Sequence, residues 1–139
     1  MDKLTSWRRN YDQLILESNT APFVWGEHDC VMFAAKAIDA QYELGVVAYI
    51  KANLAYSNEG EAIDIIEEHG DLEGLVTEVL GVGAIPPALL TVGDVVLYEY
   101  GIPGFQHALA VHDGHQILSP AKVGLTYLHM TRALKGWRL

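Results

Sequence analysis

Hydrophobic residues in the first two-thirds of the chain recur at the spacing of helix faces. This pattern predicts helices from Trp7 to about Asn19, from Cys30 to about Tyr42, from Glu59 to His69, and from Asp71 to about Leu80. The helix that begins at Cys30 is rich in Ala and apolar on nearly all sides, which is typical of a buried helix. Asp29 stands before it as an N-cap residue. Residues 43–58 fit a further helix or an extended segment.

The last third of the chain changes to short apolar runs separated by turn signals, which is typical of strands. Strands are predicted at 95–100, 107–111, 116–118, 123–127 and 137–139. The segment GIPGF predicts a turn, and Asp113-Gly114 is a strong hairpin signal. Helices followed by strands predict an α+β fold, with N-terminal helices packed on a C-terminal antiparallel sheet. The length of 139 residues fits a single domain, 1–139.

The composition argues against two classes of partner. The chain carries 9 Lys and Arg against 18 Asp and Glu, a formal net charge of −9. An acidic protein repels nucleic-acid phosphates and anionic lipid surfaces, so we expect no nucleic-acid partner. The longest uncharged stretch, from Val79 to Gly93, is shorter than the roughly 20 apolar residues that span a bilayer, so no membrane insertion is expected. The N-terminal residues lack the apolar core of a secretory signal, so we expect synthesis in a cytoplasm.

Cys30 is the only cysteine, which excludes an internal disulfide and a multi-cysteine zinc site. At the first turn of a buried helix, free backbone amides and the helix dipole favour the thiolate. We therefore expect the pKa of the thiol to fall from about 8.5 into a range of roughly 3.5–7.5. The same amides are placed to stabilise an oxyanion. The alternative is that Cys30 is simply a small buried hydrophobic residue.

A thiol nucleophile needs a base, and the chain has several histidines to supply one. His107 opens an apolar strand directly after a turn, where a base is held rigidly against a helix packed on the sheet. His112 has the opposite strand parity and is expected to face away from it. His69 and His115 are predicted to face solvent, and His129 lies in an irregular region. His107 is therefore the predicted base; the alternative is an ordinary histidine at a strand end.

No metal centre and no cofactor are predicted. His28, Asp29 and Cys30 are adjacent in sequence, and His107 lies near other histidines. Neighbouring residues on one backbone seldom converge on one ion, and none of the usual paired ligand spacings occurs.

Four segments together resemble the NlpC-type cell-wall cysteine peptidases, small papain-like enzymes that cut the peptide stems of bacterial peptidoglycan. These are the segment from Phe23 to Cys30 with its Trp-Gly and Asp-Cys pairs, the Gly-Asp strand 93–98, the His-led strand 107–111 and the return strand 114–119. Their order and spacing match those of the family. The resemblance implies a papain-like α+β fold and peptide-bond hydrolysis.

The same resemblance assigns roles to individual residues. Cys30 is expected to be the nucleophile and His107 the base. Counting along the hairpin places Ser119 at the third catalytic position, with Gln116 and His115 as near alternatives. Trp25, Gly26 and Asp29 are expected to form the substrate-binding approach to the thiol.

Nearly the whole chain also resembles a family of proteins encoded by tailed phages and prophages. Trp7, the motif 23–30, Gly93-Asp94 and the closing Trp137-Arg138 carry this likeness. It implies synthesis in the cytoplasm of a bacterial host, a place in the virion tail, and two kinds of partner: a peptidoglycan peptide or other amide substrate, and phage tail proteins. The alternative is a catalytically weak or inactive papain-like structural or adaptor protein of the tail. Acyl transfer or deamidation on the same dyad is a third option.

Overall fold

Five α-helices precede five β-strands along the chain, and the computed structural model describes residues 1–139. The helices are α1 (Trp7–Ser18), α2 (Cys30–Gln41), α3 (Val46–Asn53), α4 (Glu59–Glu68) and α5 (Leu72–Leu80). The strands are β1 (Val95–Ile102), β2 (Phe105–His112), β3 (Gln116–Pro120), β4 (Leu125–His129) and β5 (Ala133–Trp137), with 3-10 turns at Pro87–Leu89 and Met130–Arg132. This confirms the predicted α+β class. None of the helices combines the length and the hydrophobicity needed to cross a membrane.

Side-chain caps explain why two helices begin where the sequence predicts. The Asp29 carboxylate accepts a hydrogen bond from the Met32 amide (2.8 Å), and Asp71 accepts one from the Gly74 amide (2.7 Å). Each bond satisfies an amide that the first turn of a helix leaves without an intrahelical partner. Ser6, by contrast, makes no side-chain cap at the start of α1.

The ambiguous segment 43–58 contains a helix, α3, and its cap comes from a neighbouring helix. Both carboxylate oxygens of Asp39, near the end of α2, accept hydrogen bonds from the amides of Val46 (2.7 Å) and Val47 (3.0 Å). Gly45 permits the sharp turn between the two helices because its φ is +71°. Ile50 is then buried in the same core cluster as α2.

The strands form one antiparallel sheet in the order β4-β3-β2-β1-β5. The predicted turn GIPGF is mostly strand, because the β1–β2 hairpin closes only at Ile102 and Phe105, which face each other across the turn. β4 and β5 are also shifted from their predicted bounds. Val123 bridges to Pro22 rather than extending β4, and β5 ends at Trp137 instead of beginning there.

Helix α2 lies at the centre of the fold, as its apolar composition predicts. One face of the sheet carries a core shared by α2, α3, α5 and the inward side chains of β1 and β2, including Leu97 and Leu109. The other face carries a second core around Val96, Tyr98 and Ala110, which includes Leu90 and contacts Ile85. Cys30, at the first position of α2, packs against both cores.

Candidate active site

Asp29 organises the segment that leads into Cys30. Besides capping α2, its carboxylate accepts hydrogen bonds from the Gly26 amide (2.8 Å) and the Tyr56 hydroxyl (2.7 Å). The residue is 2% exposed, so these protein donors use its hydrogen-bonding capacity. Asp29 was expected to contact substrate. It instead fixes the start of α2 to the loop between α3 and α4.

Gly26 is required by a close backbone approach. Its φ is +80°, and a Cβ at this position would lie 2.0 Å from the carbonyl oxygen of Tyr56. Gly26 was expected to border the approach to the thiol, and the close contact that requires a glycine here is with Tyr56.

Trp25 is half-buried in an aromatic group above the start of α2. Its ring stacks on Phe105 at the tip of the β1–β2 hairpin, with centroids 5.5 Å apart and planes 20° apart. Phe23 meets it edge-on at 4.8 Å. The hairpin tip is thus attached to the motif that precedes Cys30, and Trp25 lines the same cavity as the cysteine.

The start of α2 supplies the free amides that the sequence predicts around Cys30. The Asp29 side chain accepts a hydrogen bond from the Met32 amide, and its backbone carbonyl oxygen accepts one from the Phe33 amide. The amides of Cys30 and Val31 have no intrahelical acceptor, and they act to lower the pKa of the thiol.

The prediction of an acidic thiol is nevertheless wrong for this structure. Burial among apolar side chains, followed by the nearby Asp29 carboxylate, raises the pKa of Cys30 to about 12. Desolvation penalises the charged thiolate more strongly than the first-turn amides favour it. The thiol is therefore neutral, and the residue as a whole is half-buried.

The β2–β3 ladder ends before Leu109, which leaves an opening in the sheet beside this residue. The recorded β2–β3 pairing is limited to Val111 with Leu118 and His112 with Ile117. Beyond it, the Ser119 hydroxyl donates to the carbonyl oxygen of Leu109 (2.8 Å), so this peptide group points towards β3. The amide of one strand residue points to the same side as its carbonyl. The Leu109 amide therefore faces the opening, where it acts on the Cys30 thiol and lowers its pKa.

His107 lies on the same face of β2 as Leu109, two residues earlier. Side chains alternate along a strand, and two residues span about 7 Å. This places His107 on the sheet face covered by α2, as its parity predicts. The half-buried imidazole has no hydrogen bond to Cys30. The structure thus puts the two residues at the same end of the α2–β2 interface without joining them.

Ser119 does not fill the third position assigned to it. Continuing the register beyond Val111 and Leu118 sets Ser119 opposite Ala110, three residues away from His107 along β2. Its hydroxyl serves the Leu109 carbonyl, and the residue is 2% exposed. Gln116 and His115 lie still farther along the hairpin, near its Asp-Gly turn. None of the three reaches the His107 end of β2.

Glu99 is the residue that sequence reasoning missed. It lies directly opposite His107 in the β1–β2 ladder, on the same face. In the structure its carboxylate accepts a hydrogen bond from the Gln106 side chain (3.0 Å), and it is exposed. No local signal in the sequence identifies this residue, because the β1–β2 register shifts between Glu99 and Ile102, and a count from Ile102 and Phe105 would set Tyr100 opposite His107.

Of the other histidines, His28, His69 and His112 are buried or half-buried, whereas His115 is exposed. His112 is buried, and its Nδ1 accepts from the Gly114 amide (2.9 Å). His69 was expected to face solvent, but it is half-buried and lies 3.4 Å from Glu78 of α5. His115 is exposed as predicted. His28 is 7% exposed, and its Nε2 has no hydrogen-bond partner.

An apolar cavity of about 60 Å³ lies behind Cys30. It lies between α2, α3, α4 and α5 and is partly open, with Leu109 of β2 and the Trp25–Phe105 pair also in its walls. Asp29 is the only lining residue that is not hydrophobic. A neutral thiol, free helix amides and an apolar cavity therefore meet at one end of α2.

Comparisons with known proteins place the chain in a family without assigning it an activity. No curated protein and no solved structure matches the chain. One family model, described as a domain of unknown function (DUF6950), matches residues 2–139. Because the match spans almost the full length, the chain belongs to the DUF6950 family.

Proposed function

We propose that this protein is a papain-like cysteine peptidase or amidase that attacks an amide carbonyl through Cys30, with His107 as the base. The supporting observation is the setting of the thiol, which lies at the first turn of α2 beside the Leu109 amide. His107 is two residues earlier on the same face of β2. The intended substrate is a peptidoglycan stem peptide or another amide.

The raised thiol pKa sets the order of events. A neutral thiol cannot attack efficiently, so His107 takes its proton as the sulfur bonds to the carbonyl carbon. The amides of Cys30 and Val31 hold the developing oxyanion. Collapse breaks the carbon–nitrogen bond, and His107 returns the proton to the leaving amine. Water, deprotonated by His107, then hydrolyses the thioester and restores the thiol.

Glu99 is proposed as the positioning residue for His107 in place of Ser119. Directly opposed residues in a non-hydrogen-bonded antiparallel pair have Cα atoms about 4.5 Å apart, with their side chains close together. The Leu109 peptide points away from β1, and by alternation the His107 peptide does the same, so Glu99 and His107 form such a pair. Release of Gln106 would free the carboxylate to bind the imidazole.

The test is digestion of purified muropeptides and of a mixed peptide library, with products followed by mass spectrometry. Cys30→Ser and His107→Ala are expected to abolish cleavage. His115→Ala, a change at an exposed turn, is the matched control and is expected to retain it. Product formation by Cys30→Ser equal to that of the unmodified protein would exclude the thiol mechanism.

A second candidate function is a catalytically inactive structural or adaptor protein of a phage tail. It is favoured by the raised pKa of Cys30 and by the engagement of Ser119 with the backbone. This candidate predicts stable co-purification with tail proteins of the same phage, unchanged by Cys30→Ser, together with no cleavage of cell-wall fragments. Loss of co-purification in Cys30→Ser, with the fold retained, would count against it.

A further inference from the structure

We propose that the cavity behind Cys30 is a subsite for an uncharged aliphatic group of about four carbons, carried on the acyl side of the attacked bond. This inference rests on the proposed function. The inference goes beyond the proposed function by naming the acyl group that the thiol site selects. This group carries a branched side chain such as that of leucine, in preference to an acidic or basic one.

The size of the group follows from the cavity volume of about 60 Å³. One water molecule needs about 10–15 Å³ of such cavity volume, so the space holds about four to six groups of the size of a water molecule. An isobutyl group, with four carbon atoms, lies within that range.

The lining excludes charge. Asp29 is the only charged lining residue, and its carboxylate already receives hydrogen bonds from Gly26, Met32 and Tyr56. The other polar groups in the lining are the Tyr56 hydroxyl, which donates to Asp29, the Trp25 indole N–H and the Cys30 thiol, and none of them carries a charge that could neutralise a buried ion. Burying an uncompensated charge is far more costly than burying a hydrocarbon, so a carboxylate or ammonium group is rejected.

The position of the cavity identifies which side of the substrate it receives. Cys30 itself forms part of the wall. During acylation the acyl group becomes attached to the sulfur, whereas the amine departs. A cavity that adjoins the sulfur therefore holds the acyl group through both halves of the reaction, and its contacts are retained while the thioester is hydrolysed.

The test compares 4-nitrophenyl isovalerate with the 4-nitrophenyl monoester of succinic acid, using intact mass to follow acylation of Cys30. The Cys30 sulfur bonds to the carbonyl carbon, 4-nitrophenolate leaves, and the thiol proton passes through His107 to the buffer. The rate of acylation by the isovaleryl ester is divided by the rate with the succinyl ester, for the protein and for N-acetylcysteine. This ratio is expected to be at least tenfold higher for the protein. A ratio equal to that of N-acetylcysteine, or lower, overturns the inference and leaves the proposed function standing.

A pair of variants checks that the preference comes from the cavity. Ala35 lines it, and Ala35→Val is expected to remove most of the isovaleryl preference while acylation by 4-nitrophenyl acetate continues. Ala40→Val, on the same helix but outside the cavity, is the matched control and is expected to keep the preference. Equal preference in both variants overturns the inference.

Xenon binding tests the cavity without any covalent reaction at Cys30. Apolar cavities of this kind stay dry and bind xenon. Under xenon pressure, methyl resonances of Leu75 and Leu109 are expected to shift, while those of Ile117, in the other core, stay unchanged. Unperturbed Leu75 and Leu109 methyls overturn the inference. Xenon binding without acylation by any ester overturns the proposed function instead.

Discussion

The start of α2 and the tip of the β1–β2 hairpin carry the two halves of the proposed thiol site, and they are held in opposite ways. At the start of α2, Asp29 is 2% exposed and joins Gly26, Met32 and Tyr56 through hydrogen bonds. At the hairpin, His107 is half-buried and its ring is not bonded to the thiol.

This difference separates a preorganised half from an adaptable one. The nucleophile and its oxyanion amides are fixed by hydrogen bonds to Asp29, two of them local, from Gly26 and Met32, and one from Tyr56, 27 residues away along the chain. The base is positioned by strand register and by the Trp25–Phe105 contact at the hairpin tip, with no hydrogen bond to its ring, and Glu99 is exposed and bonded to Gln106. Catalytic hydrogen bonds are often long in free enzymes and tighten when substrate binds. Substrate binding is therefore expected to order the hairpin half and leave the start of α2 unchanged.

The largest expected effect comes from removing the centre of the fixed half. Asp29→Ala deletes the cap of α2, worth about 1 kcal/mol. It also leaves the Tyr56 hydroxyl and Gly26 amide without their acceptor, adding about 1–3 kcal/mol. The free energy of unfolding in urea should fall by about 3 kcal/mol. Asp71→Ala removes an exposed cap with the single partner Gly74 and should cost about 1 kcal/mol. Equal losses in the two variants would show that Asp29 is no more than a cap.

The reactivity of the resting thiol is the next largest effect. With the pKa of Cys30 at about 12, little thiolate exists at pH 7. The higher intrinsic nucleophilicity of a basic thiolate recovers part of the loss, which leaves alkylation about 100-fold slower than for free cysteine. The rate of iodoacetamide labelling, measured by intact mass, should keep rising with pH beyond 9. A plateau below pH 8 would mean that the helix amides outweigh burial.

A pair of glycines compares the two halves directly. Gly26 and Gly101 both have positive φ, +80° and +75°. An added Cβ meets the Tyr56 carbonyl at Gly26, whereas at Gly101 nothing lies within 4 Å. Gly101→Ala should cost about 1 kcal/mol from backbone conformation alone, and Gly26→Ala should cost about 2 kcal/mol or more because the backbone must also shift. Thermal unfolding of both variants measures the difference. A larger loss for Gly101→Ala would place the rigid contact at the hairpin instead.

The sequence predicts the fixed half well because its signals are local. Asp29 stands next to the helix that it caps, and an apolar helix after it has to be buried. The same reasoning could not identify α3 with certainty, because its start is capped by Asp39 from another helix. Whether that segment forms a helix depends on the hydrogen bonds between Asp39 of α2 and the amides at the start of α3.

The adaptable half was predicted less well because register and burial are tertiary properties. Ser119 was placed by counting along a hairpin, but the β2–β3 pairing sets it opposite Ala110. Glu99 was missed because its pairing with His107 depends on a register shift between Glu99 and Ile102, which no residue of the turn indicates. The thiol pKa was expected to fall because the first-turn amides are visible in sequence, whereas the apolar packing that raises it is contributed by distant segments.

The smallest expected effect is a pH dependence that arises beside the fixed half. Burial, and next the Lys36 ammonium 3.2 Å from Nδ1, lower the pKa of His28 in the folded protein; burial also lowers that of His112. Because the unfolded chain then binds more protons, these two histidines make the free energy of unfolding decrease as pH falls below about 6.5. His28→Gln removes one of the two titrating groups. Urea unfolding at pH 5 and pH 7.5 should show a smaller decrease for His28→Gln than for the unmodified protein. An identical decrease would mean that His28 does not contribute to the acid sensitivity and that the buried Nε2 gains a partner on protonation.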